Sequence, residues 1–172
     1  MIYEMNEATS KLDEFRAEAQ VLIPVLKAAR AELGEERANQ LILGALRDWG
    51  SERFRHIGAG IPGSPEEKWR AIKELDGKRT RKSDLDFTML RFDAEAVEYD
   101  VTRCAYADLF RELGEPELGE VLACGADTYL AEEVTGPDVT YSRSQCLMTG
   151  GCLCDVRWRI KTGATGPGDE AS

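Results

Sequence analysis

The chain has 172 residues and a net charge of −10. This acidic balance argues against a nucleic-acid or anionic-membrane partner, and no apolar run approaches the roughly 20 residues that a membrane span needs. The N-terminal residues show no basic region followed by an apolar run, so we expect no signal peptide. We therefore expect a cytoplasmic protein whose five cysteines are reduced thiols.

The first half of the chain predicts helices. Apolar residues at spacings of three and four predict one helix over 4–33, which Pro24 should kink, and a second helix over 35–56. A Ser-Pro helix start at Ser64 opens a third helix that ends near Leu75. This half is the helical part of the domain.

The second half of the chain alternates strands and helices. The sequence predicts a basic loop over 76–84, strands over 86–92 and 96–103, and helices over 105–113 and 116–134. A hairpin around Gly150-Gly151 follows, with strands over 139–148 and 152–160. Local strand pairs separated by helices indicate an α+β fold, with N-terminal helices packed with an antiparallel sheet. We divide the chain into a helical part over 1–76, an α+β core over 77–161 that carries the candidate site, and a disordered tail over 162–172.

Cys104 has the strongest local case for a reactive thiol. It follows a predicted strand and stands at the first turn of a helix. Free N–H groups and the helix dipole would lower its pKa there, and Arg103 adds a nearby cation. The alternative is that Cys104 packs as a small buried hydrophobic residue, which is the commoner role of cysteine.

Cys124 and Asp127 lie three residues apart on a predicted helix, so they should be neighbours on its surface. An aspartate at the margin of a buried stripe is costly unless it is paired or has a function. Two interpretations remain open for Asp127: a catalytic role, or a structural bond to a backbone group or to Arg157.

The cysteines of the hairpin allow a metal hypothesis. Cys146, Cys152 and Cys154 are dense enough to bind zinc, although their spacing lacks the CxxC pattern of ordinary zinc sites. A two-residue turn at Gly150-Gly151 would put Cys146 and Cys154 on opposite faces, whereas a turn with an odd number of residues would bring them together. Both registers remain open. Alternation along the second strand of the hairpin predicts one core face, which carries Cys152, Cys154, Val156, Trp158 and Ile160.

Three features together resemble the L-2-amino-thiazoline-4-carboxylic acid hydrolase family over roughly residues 85–160. They are Cys104 after a strand, the stretch from Phe110 to Asp127, and the hairpin that ends in Cys154-Asp155. The resemblance implies a hydrolase that opens a cyclic isothiourea to give N-carbamoyl-L-cysteine. More broadly, it implies cleavage of a C–N or C–S bond in a heterocyclic or amidine-like carboxylate, in a tailoring enzyme of secondary metabolism.

The resemblance also implies roles for individual residues. Cys104 would be the nucleophile or a thiol that lines the pocket, Asp127 the general base or the partner of the amidine, and Cys154 a further catalytic candidate. The residues expected to complete the substrate pocket are Cys124, Asp155, Arg103 and Arg157, with the two arginines available to the carboxylate. We expect a small-molecule substrate and no cofactor, and leave a homodimer open.

A second resemblance supports an alternative from another functional class. The additional Cys146 and Cys152 make the hairpin similar to the vinyl-reductase-type small-molecule-binding domain, whose architecture we also expect here. In some of those domains a late cysteine pair with the spacing of Cys146 and Cys154 helps to hold zinc. The alternative is therefore a non-catalytic binding or sensor domain with a zinc site at these two residues. A partner subunit that has lost its activity is a third hypothesis.

Overall fold

The computed structural model describes most of the chain. The described residues are 10–64, 67–72, 74, 84–93, 95–127, 133–134 and 138–161. The predicted tail, the start of the first predicted helix and most of the predicted basic loop lie outside them. Within the described ranges, no helix is long and apolar enough to cross a membrane.

Two long helices pack against each other in the N-terminal half. Helix α1 (Lys11–Leu33) continues through Pro24, and α2 (Glu35–Gly60) ends four residues later than predicted. Gly34 separates them with a φ of +80°, a conformation that glycine adopts without strain. Residues 67–72 are also helical. The helices predicted in this half are therefore present.

Four strands form one antiparallel sheet in the order β1–β2–β4–β3. They are β1 (Leu85–Phe92), β2 (Ala96–Cys104), β3 (Val139–Ser142) and β4 (Cys154–Ile160). Helices α3 (Ala105–Glu112) and α4 (Pro116–Leu122) lie between β2 and β3 in the chain. Buried apolar residues of the helices and of one face of the sheet form a shared core. This confirms the predicted α+β fold, in which helices pack against an antiparallel sheet.

The prediction of one continuous helix over 116–134 is wrong. Helix α4 ends at Leu122, and Cys124–Ala126 form a 3-10 turn. Glycine costs a helix about 1 kcal/mol relative to alanine, and Gly125 lies within this turn. Asp127 directly follows the turn, so it does not share a regular helix surface with the cysteine that begins the turn.

The closing hairpin is shorter than predicted, because a loop over 143–153 joins its two strands. Asp155 accepts the N–H groups of Ser144 and Gln145 at 2.8 and 2.6 Å. These bonds hold the two amides outside the strand ladder. Cys152 lies exposed in the loop, which corrects the prediction that it belongs to the core face.

Side chains alternate across β4 as the sequence predicts. Cys154, Val156 and Trp158 are buried on the inner face, against the core. The outer face carries three charged residues, Asp155, Arg157 and Arg159. The two faces therefore place adjacent residues of the sequence in different surroundings.

Candidate functional site

Four of the five cysteines converge on the inner side of the sheet. The sulfur atoms of Cys124 and Cys146 are 3.9 Å apart, and Cys146 is near enough to Cys154 to raise its pKa. Cys104 is near enough for the charge of Cys146 to affect its pKa. Cys146 and Cys154 are buried, Cys104 and Cys124 are half-buried, and Cys152 is exposed away from the core. The 3-10 turn, the loop over 143–153 and two strands each supply one thiol of this cluster.

The loop places Cys146 through backbone contacts rather than through a strand register. The Cys146 carbonyl accepts the N–H of Gly151 at 2.8 Å, and the Leu147 N–H donates to the Cys154 sulfur at 3.1 Å. A Cβ atom on Gly151 would lie only 2.8 Å from the Cys146 oxygen, so a glycine is required there. Neither of the two open hairpin registers forms, and the loop brings Cys146 to Cys154.

The surroundings of Cys146 stabilise its thiolate. The hydrogen bond from Cys124 lowers the pKa of Cys146, and burial opposes this effect. The N–H groups of Met148 and Thr149 and the charge of Arg143 add to the lowering, which brings the pKa to about 5. Cys146 is therefore the thiol of this cluster that ionises first.

The neighbouring thiols keep their protons. The hydrogen bond to Cys146 and burial raise the pKa of Cys124, and the nearby Asp127 adds to the rise. Burial raises the pKa of Cys154 to about 11, and the charge of Cys146 contributes. The directions of these pKa shifts thus favour a thiolate at Cys146 and neutral thiols at Cys124 and Cys154.

The predicted lowering of the pKa of Cys104 is wrong. Cys104 is the N-cap residue of α3, but its side chain makes no capping hydrogen bond. Burial raises its pKa, and the amides of Ala107 and Tyr106 offset only part of this effect. The effect of desolvation on the pKa of Cys104 is therefore larger than the opposite effect of the helix N-terminus.

Asp127 lies in a small polar group beside the thiols. Its Oδ2 atom accepts hydrogen bonds from the Nη1 group of Arg143 at 3.2 Å and the hydroxyl of Tyr141 at 3.4 Å. The Arg143 guanidinium also lies over the Tyr141 ring, 5.9 Å from its centroid. The cation beside Asp127 is therefore Arg143, whereas the sequence suggested Arg157.

Asp155 and Arg157 face the other side of the sheet. Arg157 pairs with Asp100 at 2.7 Å, and Asp155 holds the amides of Ser144 and Gln145. Burial raises the pKa of Asp155, but the hydrogen bonds from Ser144 and Gln145 outweigh burial and lower it to about 2. The structure does not bring these two candidates to the thiols. Asp155 instead anchors the loop that carries Cys146.

Arg103 lies in a surface groove of about 570 Å³ between α1 and α3. Arg16 and Arg111 line the same groove, and Arg103 forms an ion pair with Asp108 at 3.6 Å. Three acidic residues, Asp84, Asp108 and Glu112, also line the groove, so its charged lining carries no net positive charge. Its lining includes none of the five cysteines.

Sequence reasoning missed the residues that set the chemistry of the cluster. The sequence indicates Cys146 only as a zinc ligand and gives no indication of a role for Arg143 or Tyr141. A spacing of three residues between Arg143 and Cys146 was the available signal. The predicted strand over 139–148 contains both residues, and residues three apart on a strand point to opposite faces of the sheet.

The zinc hypothesis requires a suitable set of ligands. A structural zinc site normally has four of them in a tetrahedral arrangement. In the described part of the chain, no group of three or more His, Cys, Asp or Glu side chains is arranged to hold a metal ion. We therefore derive no chemical step through zinc.

Comparisons with known proteins bear on the family of the chain. None of the curated proteins matches the chain. A solved structure, the phenol-responsive sensory domain of the transcription activator PoxR with phenol, is similar at 18% identity and a TM-score of 0.46. The alignment covers 93% of this chain and 76% of that one. A sequence model of the L-2-amino-thiazoline-4-carboxylic acid hydrolase family matches residues 14–158, so the chain belongs to that family.

Proposed function

We propose that this protein is a hydrolase that opens a cyclic isothiourea or a related amidine-like carboxylate, with Cys146 as the nucleophile. The observation that carries the proposal is the convergence of four thiols beside the Arg143–Asp127 pair. Membership of the L-2-amino-thiazoline-4-carboxylic acid hydrolase family supports the substrate class. A 2-amino-thiazoline-4-carboxylate is therefore the first substrate to test.

The choice of Cys146 follows from the ionisation of the thiols. A thiolate is the nucleophilic form of cysteine, and Cys146 has the surroundings that favour it. Burial raises the pKa of both Cys104 and Cys154, which suits them to line the pocket. The proposal thus moves the nucleophile from Cys104, where the sequence placed it, to the loop.

The reaction would proceed in two displacements at the carbon that lies between the ring sulfur and two nitrogens. The Cys146 thiolate attacks this carbon, the ring C–S bond breaks, and the departing sulfur takes a proton from Cys124. The carbon is then attached to Cys146 as an S-linked isothiourea.

Water completes the second displacement. It attacks the same carbon, the bond to the Cys146 sulfur breaks, and the thiolate returns. One hydrogen of the water restores the Cys124 thiol and the other remains on a nitrogen of the product. The overall reaction adds one water and gives a carbamoyl-amino thiol acid.

Asp127 and Arg143 would position the substrate. The Asp127 side chain is 39% exposed, so it can accept a charge-assisted hydrogen bond from an amidinium or take a proton from the attacking water. Arg143 hydrogen-bonds through Nη1 to Asp127, and no other hydrogen bond of its guanidinium is found among the described residues. Its remaining N–H groups are candidates for the substrate carboxylate, in place of Arg103 and Arg157.

The test is turnover of 2-amino-thiazoline-4-carboxylate, with the product identified by NMR and mass spectrometry. Wild type should form N-carbamoyl-L-cysteine, Cys152→Ser should match it, and Cys146→Ser should be at least about 10³-fold slower. Full activity in Cys146→Ser would contradict the assignment of Cys146 as the nucleophile. The hydrolase hypothesis would be contradicted if wild type turned over neither this substrate nor ring analogues that keep the carboxylate.

The same protein should be analysed for zinc, because the alternative is a non-catalytic binding or sensor domain. That alternative expects about one zinc per chain that is lost in both Cys146→Ser and Cys154→Ser. It also expects small-molecule binding without turnover. This result would replace the enzyme hypothesis rather than refine it.

A further inference from the structure

The Cys124 and Cys146 sulfur atoms are close enough to join with little movement. They are 3.9 Å apart, and a disulfide bond is about 2.05 Å long. Cys124 begins the 3-10 turn and Cys146 lies in the loop over 143–153. Because neither residue belongs to a strand ladder or a long helix, the sulfurs can approach each other without breaking regular secondary structure.

We propose that Cys124 and Cys146 are a modification site, which forms a reversible disulfide when the protein meets a peroxide. This inference goes beyond the proposed hydrolysis, and the bond can form whether or not that reaction occurs. All five cysteines are free thiols in the structure.

Other cysteine pairs fit this chemistry less well. Cys154 opposes Val101 in the ladder between β4 and β2, so moving Cys154 would disturb the sheet. Its sulfur also accepts the N–H of Leu147 at 3.1 Å. Cys152 is exposed, whereas Cys146 is buried. Cys104 opposes Leu85 in the ladder between β2 and β1, so moving Cys104 would also disturb the sheet. Cys124 is therefore the partner that the structure favours for Cys146.

The oxidation would balance as follows. The Cys146 sulfur attacks one oxygen of a peroxide, the O–O bond breaks, and a hydroxide leaves and is protonated to water. The resulting sulfenic acid is attacked by the Cys124 sulfur, which forms the S–S bond and releases a second water. Two thiols lose two electrons in total, and one peroxide is reduced to two waters. A small dithiol would reverse the change by exchange.

Two neighbouring features favour the first step. The backbone of Met148 and Thr149 and the positive charge of Arg143 lower the pKa of Cys146, which favours a nucleophilic sulfur. Cys124 already makes a hydrogen bond with it, so the second thiol is in place when the sulfenic acid forms. The proximity also protects Cys146 from further oxidation.

The experiment treats the full-length protein with hydrogen peroxide, then unfolds and alkylates it for intact-mass measurement and peptide mapping. The expected result is that three rather than five cysteines are alkylated, with one cross-linked peptide pair that contains Cys124 and Cys146. A dithiol should restore all five sites. The same bond should form in Cys152→Ser, which removes the exposed thiol as a source of artefact.

A second variant follows the intermediate. In Cys124→Ser, a sulfenic acid should accumulate on Cys146, where dimedone traps it. Five alkylated cysteines after peroxide treatment of wild type would overturn the proposal, as would a bridge that uses Cys104, Cys152 or Cys154. Because the readout is mass, a protein that fails to hydrolyse 2-amino-thiazoline-4-carboxylate can still confirm or refute the disulfide.

Discussion

The two faces of β4 hold very different chemistry, although their residues alternate along one strand. The inner face places the buried Cys154 beside the other thiols of the cluster and near the Arg143–Asp127 pair. The outer face places Arg157 and Asp155 in contacts with the sheet and with a loop. Adjacent residues of the sequence therefore belong to different regions. A site on this strand has to be assigned one face at a time.

The difference in burial decides how much each charge matters. The Arg143 side chain is 14% exposed, whereas Arg159 on the outer face is 56% exposed and pairs with Glu98 at 2.6 Å. Exposed ion pairs contribute about 0–1 kcal/mol to stability, since water and salt screen them. We therefore expect substitutions on the inner face to change reactivity, and matched substitutions on the outer face to change stability slightly.

The largest contrast is expected between Asp127→Asn and Asp155→Asn. If Asp127 holds the substrate or acts as a base, its substitution should lower turnover of 2-amino-thiazoline-4-carboxylate by roughly 10²–10⁴. Asp155→Asn should retain most of the activity, since the side-chain oxygen of asparagine can still accept the two N–H groups that hold the loop. Turnover per folded molecule is the measurement, with thermal denaturation of each variant alongside.

Asp127 also pairs with Arg143, so a modest loss of stability is expected in Asp127→Asn. A large loss of stability with unchanged activity per folded molecule would show that Asp127 is structural. The expected difference in reactivity between the two faces of β4 would then not hold for Asp127.

A smaller contrast is expected between Arg143→Gln and Arg159→Gln. The charge of Arg143 contributes to the lowered pKa of Cys146. Its loss should raise that pKa by about one unit, which makes alkylation of Cys146 at low pH roughly tenfold slower. Arg159→Gln removes a guanidinium from the outer face and should leave the rate unchanged. Equal changes of the alkylation rate in both variants would indicate that the total charge of the protein, rather than the local charge of Arg143, controls the reactivity of Cys146.

The smallest effect is expected in the stability of Asp155→Asn. Weakening the bonds from Asp155 to two amides should cost about 1 kcal/mol in the free energy of unfolding at pH 7. The folded-state pKa of about 2 lies below the ordinary value of 3.8. The carboxylate therefore stabilises the fold above about pH 4, and this contribution disappears as the pH falls toward 2.

Urea denaturation at pH 7 and near pH 2.5 measures this difference. The gap between wild type and Asp155→Asn should narrow at the lower pH. A gap of equal size at both values would mean that the carboxylate charge plays no part in holding the loop.

The sequence predicted the fold well because regular patterns determine it. The alternation of Cys154, Val156 and Trp158 identified the inner face of β4, and helical spacing identified α1 and α2. These patterns reflect burial of apolar side chains, which is a property of each segment.

The site was only partly predictable because it depends on contacts between segments. The loop over 143–153 takes its shape from Asp155 and Gly151, and no local pattern reports those contacts. Burial of Cys104 likewise comes from distant parts of the chain, so its pKa could not be inferred from its place before a helix. Sequence reasoning found the thiols but not their order of ionisation.

The most direct test is a pH titration of the ultraviolet absorbance of thiolates, which does not require a reagent to reach the buried sulfur. In the proposed mechanism, Cys146 carries the thiolate. Wild type should show one thiolate per chain that titrates near pH 5. The step should persist in Cys104→Ser and disappear in Cys146→Ser. A step that disappears in Cys104→Ser and persists in Cys146→Ser, or the absence of any thiolate below about pH 8, would contradict it.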